Sequence, residues 1–201
     1  MSQTPSARQS QYPVDKLFVE RWSPRAFTGE TIPQAQLLTI LEAGRWAPSS
    51  YNAQPWRFIY ALPGTPAWQA LFGTLIEFNQ QWTAKASALV LLVSANESAP
   101  YGGPSQPNPS HSLDAGAAWA NVALQAHLSG WAAHGMTGFD KEAARTAFAV
   151  PDGFTIEQVF AIGRRSDDVS GLPESVRGAE TPNQRKPLEE IVAEGRFNFQ
   201  A

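Results

Sequence analysis

The sequence predicts an α+β fold in which helices surround a central mixed β-sheet. Residues 56–61 combine aromatic and β-branched side chains, and residues 88–93 form a continuous apolar run of strand length. Residues 154–162 have the character of a third strand. Helical patterns lie between these runs, but they alternate with the strands too few times for a doubly wound nucleotide-binding fold. We therefore expect one mixed sheet with helices packed on it.

The composition is that of a folded, globular protein. Hydrophobic residues make up 43% of the 201 residues and charged residues only 16%, a balance that excludes a disordered chain. The net charge of -3 gives no reason to expect nucleic acid or an anionic membrane as a partner. Residues 1–11 are polar and lack the apolar core of a signal peptide, and no run approaches the ~20 apolar residues of a membrane span. We expect a soluble cytoplasmic protein.

The common catalytic motifs are absent from the sequence. There is no cysteine, which excludes disulfides, thiolate nucleophiles and cysteine-based metal sites. The histidines His111, His127 and His134 lack metal-ligand spacing. Neither a Gly-x-Ser-x-Gly elbow, a Gly-x-Gly-x-x-Gly turn nor a P-loop occurs. We therefore expect no metal and predict that any enzymatic reactivity comes from an organic cofactor.

Helical patterns accompany the predicted strands. The first covers residues 14–19, and the second opens at Thr31 or Pro33, two cap signals that differ in position, and ends at Pro48. The predicted buried face of the second helix consists of Leu37, Ile40, Leu41 and Gly44, with Leu38 beside them. A third pattern runs from residue 66 to about residue 85. Its candidate core positions are Leu71, Leu75, Ile76 and Phe78.

The longest helical pattern, residues 113–134, carries little charge on any face. Such a helix is expected at the centre of the fold or between subunits. Asp140 then predicts the N-cap of a short helix that ends near Phe148. Before the long helix, residues 95–112 are rich in Pro, Gly, Ser and Asn, and a loop of this length is typical of a lid, a binding loop or a disordered insert.

One domain, residues 13–170, is expected between two terminal segments. Residues 1–12 are rich in Ser and Gln and predict a mobile segment. Residues 171–201 are punctuated by prolines and predict an extended arm. No internal repeat or second domain is evident.

Arginine pairs near both ends of the domain suggest an anion site. Arg21, Ser23 and Arg25 lie within five residues, so a phosphate could receive two guanidinium forks and a hydroxyl. Arg164 and Arg165 follow the third predicted strand, and anions commonly bind at strand ends in open sheets. From these residues alone, solvated surface arginines remain the simpler interpretation.

A polar turn precedes the first predicted strand. Residues 47–58 hold Ser, Asn and Gln side chains between prolines, which would present donors from a rigid turn. A well-capped turn without a ligand explains the segment about equally well. Its candidate donors are Ser49, Ser50, Asn52 and Gln54.

Together these segments resemble the nitroreductase family of FMN-dependent oxidoreductases. The family's Arg-x-Ser-x-Arg-like signature is matched at residues 21–25, and residues 47–56 reproduce every specified position of Ala-Pro-Ser-Ser-x-Asn-x-Gln-Pro-Trp. The resemblance covers residues 14–167 and implies a nitroreductase-like fold that forms an interleaved homodimer. It also implies that the arm 171–201 packs on the partner subunit.

The resemblance extends to further positions. Asn79 matches the residue that meets the flavin pyrimidine, although this chain has Trp82 where family members often have a lysine. Thr137 and Gly138 match the turn whose backbone faces flavin N5. The implied FMN site consists of Arg21, Trp22, Ser23, Arg25, Ser49, Ser50, Asn52, Gln54, Asn79, Thr137, Gly138, Arg164 and Arg165.

The implied reaction is ping-pong transfer of a hydride from NADH or NADPH, through the flavin, to a nitroaromatic, quinone or similar flat electrophile. No side-chain acid or base is required. We expect residues 95–112 to form the acceptor-side wall, with Tyr101 as its aromatic contact. A dehalogenating, enoyl-reducing or flavin-cleaving enzyme, or a non-catalytic flavin-binding module, remains an alternative because the matched motifs do not select a substrate.

Overall fold

The computed structural model describes residues 8–199 and shows an α+β fold in which a four-stranded sheet lies between two layers of helices. The helices in this range are α1 Lys16–Glu20, α2 Gln34–Arg45, α3 Pro66–Thr74, α4 Glu77–Thr83, α5 His111–Leu128, α6 Lys141–Ala147 and α7 Glu174–Arg177. The strands are β1 Trp56–Ala61, β2 Ala88–Ala95, β3 Glu97–Ser98, β4 Gln106–Pro107, β5 Ala132–Met136 and β6 Phe154–Gly163. The predicted α+β class, with a central sheet surrounded by helices, is confirmed.

The main sheet has the order β1-β2-β6-β5, and all three pairings are antiparallel. The expectation of a mixed sheet is corrected on this point for the described chain. A helix between two strands allows either direction of pairing, so the alternation of elements did not determine it. The strands at 56–61, 88–93 and 154–162 were predicted correctly, whereas β5 was not predicted.

Strand β2 is the centre of the core. Leu89, Leu91 and Val93 pack on the side that carries α3, α4 and α6, and Val90 and Leu92 pack on the side that carries α2 and α5. A strand covered on both faces needs an uninterrupted apolar run, which is why its sequence does not alternate.

Helix α2 has the predicted buried face, since Leu37, Ile40, Leu41 and Gly44 are all buried. Leu38 lies outside that face and is 46% exposed. Pro33 is the N-cap residue, and no side chain caps the helix, so neither cap signal acts as predicted.

The predicted helix 66–85 is two helices, α3 and α4. Leu75 and Ile76 between them are extended, because Leu75 bridges Phe139 and the backbone N–H of Ile76 donates to the carbonyl oxygen of Gly138. Leu71 and Leu75 are buried as predicted, whereas Ile76 and Phe78 are exposed, contrary to prediction. Tertiary hydrogen bonds to residues 138–139 outweigh the local helical pattern here.

The predicted helix 113–134 is also divided. Helix α5 begins at His111 and ends at Leu128, and Gly130, with a φ of 75°, reverses the chain into β5. His134 therefore lies in a strand. None of the helices within residues 8–199 is both long and apolar enough to span a membrane.

The short helix α6 has the predicted cap. Oδ1 of Asp140 accepts a hydrogen bond from the backbone N–H of Ala143 at 2.9 Å. The loop 95–112 contains the small β3–β4 ribbon, and its last two residues belong to α5.

The C-terminal arm folds back onto its own chain as far as residue 189. The backbone N–H of Leu188 donates to Oε1 of Gln11 at 2.7 Å, and Nε of Arg8 donates to the carbonyl oxygen of Asn183 at 2.6 Å. The predicted mobile segment 1–12 lies outside the described residues up to residue 7, and Arg8 and Gln11 contact the arm. Ile191, Val192 and Phe197 remain exposed on the arm.

Candidate functional site

Residues 21–25 form a cationic corner directly after α1. Arg21 is the C-cap residue of α1, and its Nη1 donates to Oγ of Ser23 at 3.2 Å, so two of the predicted donors converge. Trp22, between them in sequence, is half-buried. Burial lowers the pKa of the Arg21 guanidinium, and the nearby guanidinium of Arg185 lowers it further.

Arg25 has a buried donor without an acceptor. Its Nε has no hydrogen-bond partner within residues 8–199, and its Cζ lies 6.0 Å from the ring centre of Trp82. The backbone N–H groups of Arg25 and Ala26 both donate to Oε1 of Glu180, whereas its buried Oε2 has no partner within residues 8–199. A buried guanidinium N–H costs free energy unless an acceptor meets it, so the corner is suited to an anion.

Arg185 joins this corner, although the sequence did not indicate it. Nη1 of Arg185 and Nε of Arg8 both donate to the carbonyl oxygen of Asn183, at 3.4 and 2.6 Å. Within the described range neither Arg21 nor Arg185 forms a salt bridge. Like charges held together in this way favour an anionic ligand. The available signal was the basic pair Arg185–Lys186 in the arm, but nothing local connects it with Arg21.

Arg164 and Arg165, which the sequence predicted as phosphate ligands, interact with other residues of the chain. Arg164 donates to both carboxylate oxygens of Glu30 at 3.2 Å and to the carbonyl oxygen of Gly130 at 2.6 Å. Its Cζ also lies 4.2 Å from the ring centre of Trp131. Arg165 pairs with Asp167 at 2.7 Å in an exposed position. Arg164 thus ties the end of β6 to the turn after α5.

Asn79 and Gly138 form the second group of predicted residues that the fold brings together. Nδ2 of Asn79 donates to the carbonyl oxygen of Gly138 at 2.8 Å, and Nε1 of Trp82 donates to Oδ1 of Asn79 at 3.2 Å. Asn79 and Trp82 are both buried. Within residues 8–199 the backbone N–H groups of Thr137 and Gly138 donate no hydrogen bond. Asn79 therefore holds the turn at residues 137–138 through the carbonyl group of Gly138, and the two backbone N–H groups are available to a ligand.

His134, for which the sequence predicted no role, connects the cationic corner with the Asn79–Gly138 group. Its ring centre lies 4.6 Å from that of Trp82, and its Nδ1 lies 3.0 Å from the carbonyl oxygen of Pro24. Burial lowers the pKa of His134 to about 4, and the charges of Arg25 and Arg21 act in the same direction. A neutral His134 can donate from Nδ1 to Pro24, which links β5 to the cationic corner.

The turn at residues 49–54 has an unusual backbone. Tyr51, Asn52 and Gln54 have φ values of 50°, 56° and 47°, the left-handed region that non-glycine residues rarely occupy. Oγ of Ser49 accepts from the backbone N–H of Gln54 at 3.0 Å. The backbone N–H of Ser50 donates to Asp114 at 3.2 Å. Several left-handed residues together are typical of a binding segment held by its surroundings.

The cationic corner and this turn lie at opposite ends of α5. Glu20, next to the corner, lies 3.9 Å from His127 near the C-terminal end of the helix, whereas Ser50 contacts Asp114 near its N-terminal end. These two helix positions are about 20 Å apart at about 1.5 Å per residue. Arg21, Arg25 and Asn79 thus gather at one end, and the Ser49–Gln54 turn lies at the other end.

Tyr101 lies beside the turn at residues 49–54. Its ring centre is 5.7 Å from that of Tyr51 in an edge-to-face arrangement, and its side chain is 92% exposed. The loop 95–112 thus borders the polar turn and not the cationic corner of the same chain.

Comparison with known proteins gives consistent results. The sequence model of the Nitroreductase family matches residues 19–66. A Streptomyces coelicolor protein named as a candidate NADH dehydrogenase/NAD(P)H nitroreductase is 31% identical over 179 residues, which cover 81% of this chain and 90% of that protein.

Two solved structures extend the comparison. A crystal structure described as an oxidoreductase containing FMN is 45% identical, with a TM-score of 0.93 and coverage of 99% of this chain and 100% of that one. A candidate nitroreductase in complex with FMN from Desulfovibrio desulfuricans is 25% identical, with a TM-score of 0.70 and coverage of 94% and 100%. The matched motifs, the fold and these relatives agree, and the chain belongs to the nitroreductase family.

Proposed function

We propose that this chain is an FMN-dependent oxidoreductase that passes a hydride from NADH or NADPH to a nitroaromatic, quinone or similar flat electrophile by a ping-pong mechanism. One observation carries the proposal: Arg21 lies beside Ser23 and Arg185, and the buried Nε of the nearby Arg25 has no acceptor among residues 8–199. The relatives that contain FMN support the identity of the cofactor.

The cationic corner fits the phosphate group of FMN. Guanidinium forks and a hydroxyl are the donors that recognise a phosphate, and a dianion would relieve the repulsion between Arg21 and Arg185. Arg185 takes the role first expected of Arg164, because the guanidinium of Arg164 is already bonded to Glu30 and Gly130. Arg165 stays a candidate at the edge of the site.

The Asn79–Gly138 group fits the ring of the flavin. Asn79 uses one N–H of its amide and one lone pair of Oδ1 within the protein, which leaves one further N–H and one lone pair for a ligand. The available N–H groups of Thr137 and Gly138 would donate to ring atoms that gain electron density on reduction.

The chemistry that FMN supplies when bound is acceptance of a hydride from a nicotinamide and its delivery to an acceptor. The chain's own residues hold the phosphate, orient the ring and present backbone donors. Hydride transfer through the flavin needs no side-chain acid or base, since solvent can supply the protons. The exposed Tyr101 is the proposed contact for the acceptor.

We further propose that the site is completed by a second copy of the chain. The phosphate and ring groups lie at one end of α5 and the turn at residues 49–54 lies at the other, about 20 Å along the helix, so we expect the turn to contact the flavin of another subunit. Helix α5 also has an apolar face that is exposed or half-buried in the single chain, which fits burial between subunits. This face consists of Leu113, Gly116, Ala117, Ala120, Leu124 and Leu128.

The absorption spectrum of the purified protein tests the cofactor. We expect the two visible bands of an oxidised flavin, and their bleaching when NADH or NADPH is added without oxygen. A colourless protein that takes up no FMN on reconstitution would refute the proposal. A flavin that neither nicotinamide bleaches would favour the non-catalytic flavin-binding module instead. Turnover of a haloaromatic or an enoyl substrate, with no turnover of quinones or nitroaromatics, would favour the alternative chemistries.

Complementation between two defective chains tests the shared site. Arg21→Ala removes a phosphate donor, and Asn52→Asp removes an amide donor from the turn at residues 49–54 at a position where Asp tolerates a left-handed backbone. The heterodimer purified from co-expressed chains should have one intact site and one doubly defective site, so it should hold about half of the native FMN content. No recovery above either homodimer would mean that one chain builds each site alone.

A further inference from the structure

We propose that Arg8 is a positioning residue whose guanidinium clasps together the two chain segments that bring Arg21 and Arg185 to the FMN phosphate. This inference rests on the proposed function, because FMN supplies the phosphate. It assigns a role to the N-terminal segment, for which the sequence predicted only mobility.

The contacts of Arg8 reach both segments at once. Its Nη1 donates to the carbonyl oxygens of Val19 and Arg21, at 3.2 and 2.9 Å. Its Nε donates to the carbonyl oxygen of Asn183 at 2.6 Å. The first two carbonyls belong to the end of α1 and the residue after it, and the third lies two residues before Arg185. One side chain thus connects the backbone on either side of the cationic corner.

The chemistry of these contacts requires arginine. Carbonyl groups at the end of a helix lack partners within the helix, and a cation suits them. The guanidinium is a planar fork with five N–H donors, so it can meet carbonyls that lie in different directions. A lysine ammonium is a compact charge on a flexible stem and cannot hold the same three acceptors in one plane.

A clasp is needed because the two phosphate arginines repel each other. Burial lowers the pKa of Arg8, and the charges of Arg185 and Arg21 lower it further, as expected for guanidinium groups kept close together. Before a phosphate binds, repulsion would move the arm away from α1. A second contact supports the clasp, since Gln11 accepts from the backbone N–H of Leu188 and donates to Glu189.

The test compares FMN with riboflavin, which has the same ring but no phosphate. Dissociation constants for both are measured by flavin fluorescence on apo-protein of the native chain, Arg8→Gln and Arg8→Lys. Arg145→Gln is the matched control, because Arg145 also donates to three backbone carbonyls. These carbonyls belong to Val150, Pro151 and Phe154, which are not the residues that Arg8 contacts. Arg21→Ala reports the loss of a direct phosphate donor.

We expect both Arg8 variants to weaken FMN binding on the order of ten-fold, or about 1.4 kcal/mol, while riboflavin binding stays unchanged. Arg145→Gln should leave the ratio of the two constants at its native value. The clasp is overturned if Arg8→Gln keeps the native ratio while Arg21→Ala loses it, and the proposed function then still stands. Native behaviour of Arg8→Lys would also overturn it, because charge alone would then suffice. A native protein without preference for FMN would instead contradict the proposed phosphate site.

A second measurement tests, in the apo-protein, whether Arg8 holds the arm against the end of α1. Tryptic cleavage after Arg185, followed by mass spectrometry, should be faster in Arg8→Gln than in Arg145→Gln when the two variants have equal thermal stability. Equal cleavage rates would overturn the clasp, because the arm would then be held by other contacts.

Discussion

Gly138 lies in a tightly packed part of the proposed flavin site, and Gly138→Ala should disturb it measurably. A Cβ added there would lie 2.7 Å from Cδ1 of Ile76 and 2.8 Å from Nδ2 of Asn79. Ordinary van der Waals contacts of a Cβ begin at 3.4 Å, so the Ile76 and Asn79 atoms must move away by about 0.6–0.7 Å. Ile76 is half exposed and can rotate, whereas Asn79 is held by Trp82 and by Gly138 itself.

The expected magnitude follows from these two neighbours. Overpacking costs about 1–3 kcal/mol, and loss of the Asn79–Gly138 hydrogen bond costs about 1 kcal/mol. The same movement of Asn79 relieves the clash and breaks the hydrogen bond, so the two costs are not added in full. We therefore expect the free energy of unfolding to fall by about 2 kcal/mol. Displacement of the turn should also weaken FMN binding on the order of ten-fold.

Urea unfolding of the apo-protein and FMN titration measure the two effects. Gly73→Ala is the control, because Gly73 lies within α3 and a Cβ there meets no atom within 4 Å. That variant should be more stable than the native chain by about 0.5–1 kcal/mol and bind FMN normally. Native stability and native FMN affinity in Gly138→Ala would refute the reasoning, since they would show that the turn can yield without cost.

Three further predictions follow from the same structure. Arg185→Ala should weaken FMN binding by about 1–3 kcal/mol, whereas Arg164→Ala should lower stability and leave FMN affinity unchanged in titrations; the reverse pattern would restore the first assignment. Because burial lowers the pKa of His134 to about 4, the unfolded chain binds the extra proton, and stability should fall by up to about 3 kcal/mol as the pH drops from about 6.5 to 4. Urea unfolding across that range should show a shallower fall in His134→Gln, and identical slopes would contradict the assignment. Asp140→Ala should lower the thermal unfolding midpoint through loss of about 1 kcal/mol of N-cap stabilisation of α6, whereas Asp140→Asn should retain most of it.

The strands were predictable because their sequences report burial directly. A run such as residues 88–93 has few alternatives to a strand covered on both faces, and the structure shows that arrangement. The missed features depend on distant partners. Leu75 leaves the helix to bridge Phe139, and β5 is a short strand whose apolar residues continue the pattern of α5. The local pattern of apolar residues cannot predict these contacts between residues far apart in the sequence.

The sequence alone determined the family and the α+β class, because the motif at residues 47–56 is local and specific, and it predicted segments of the candidate site. Only the tertiary structure decided which arginines lie close together. Arg164 is bonded to Glu30, and Arg185 meets Arg21 because the arm folds back across α1. The physical reason is that an anion site needs several charges at one point in space, and chain folding, not spacing in the sequence, brings those charges together.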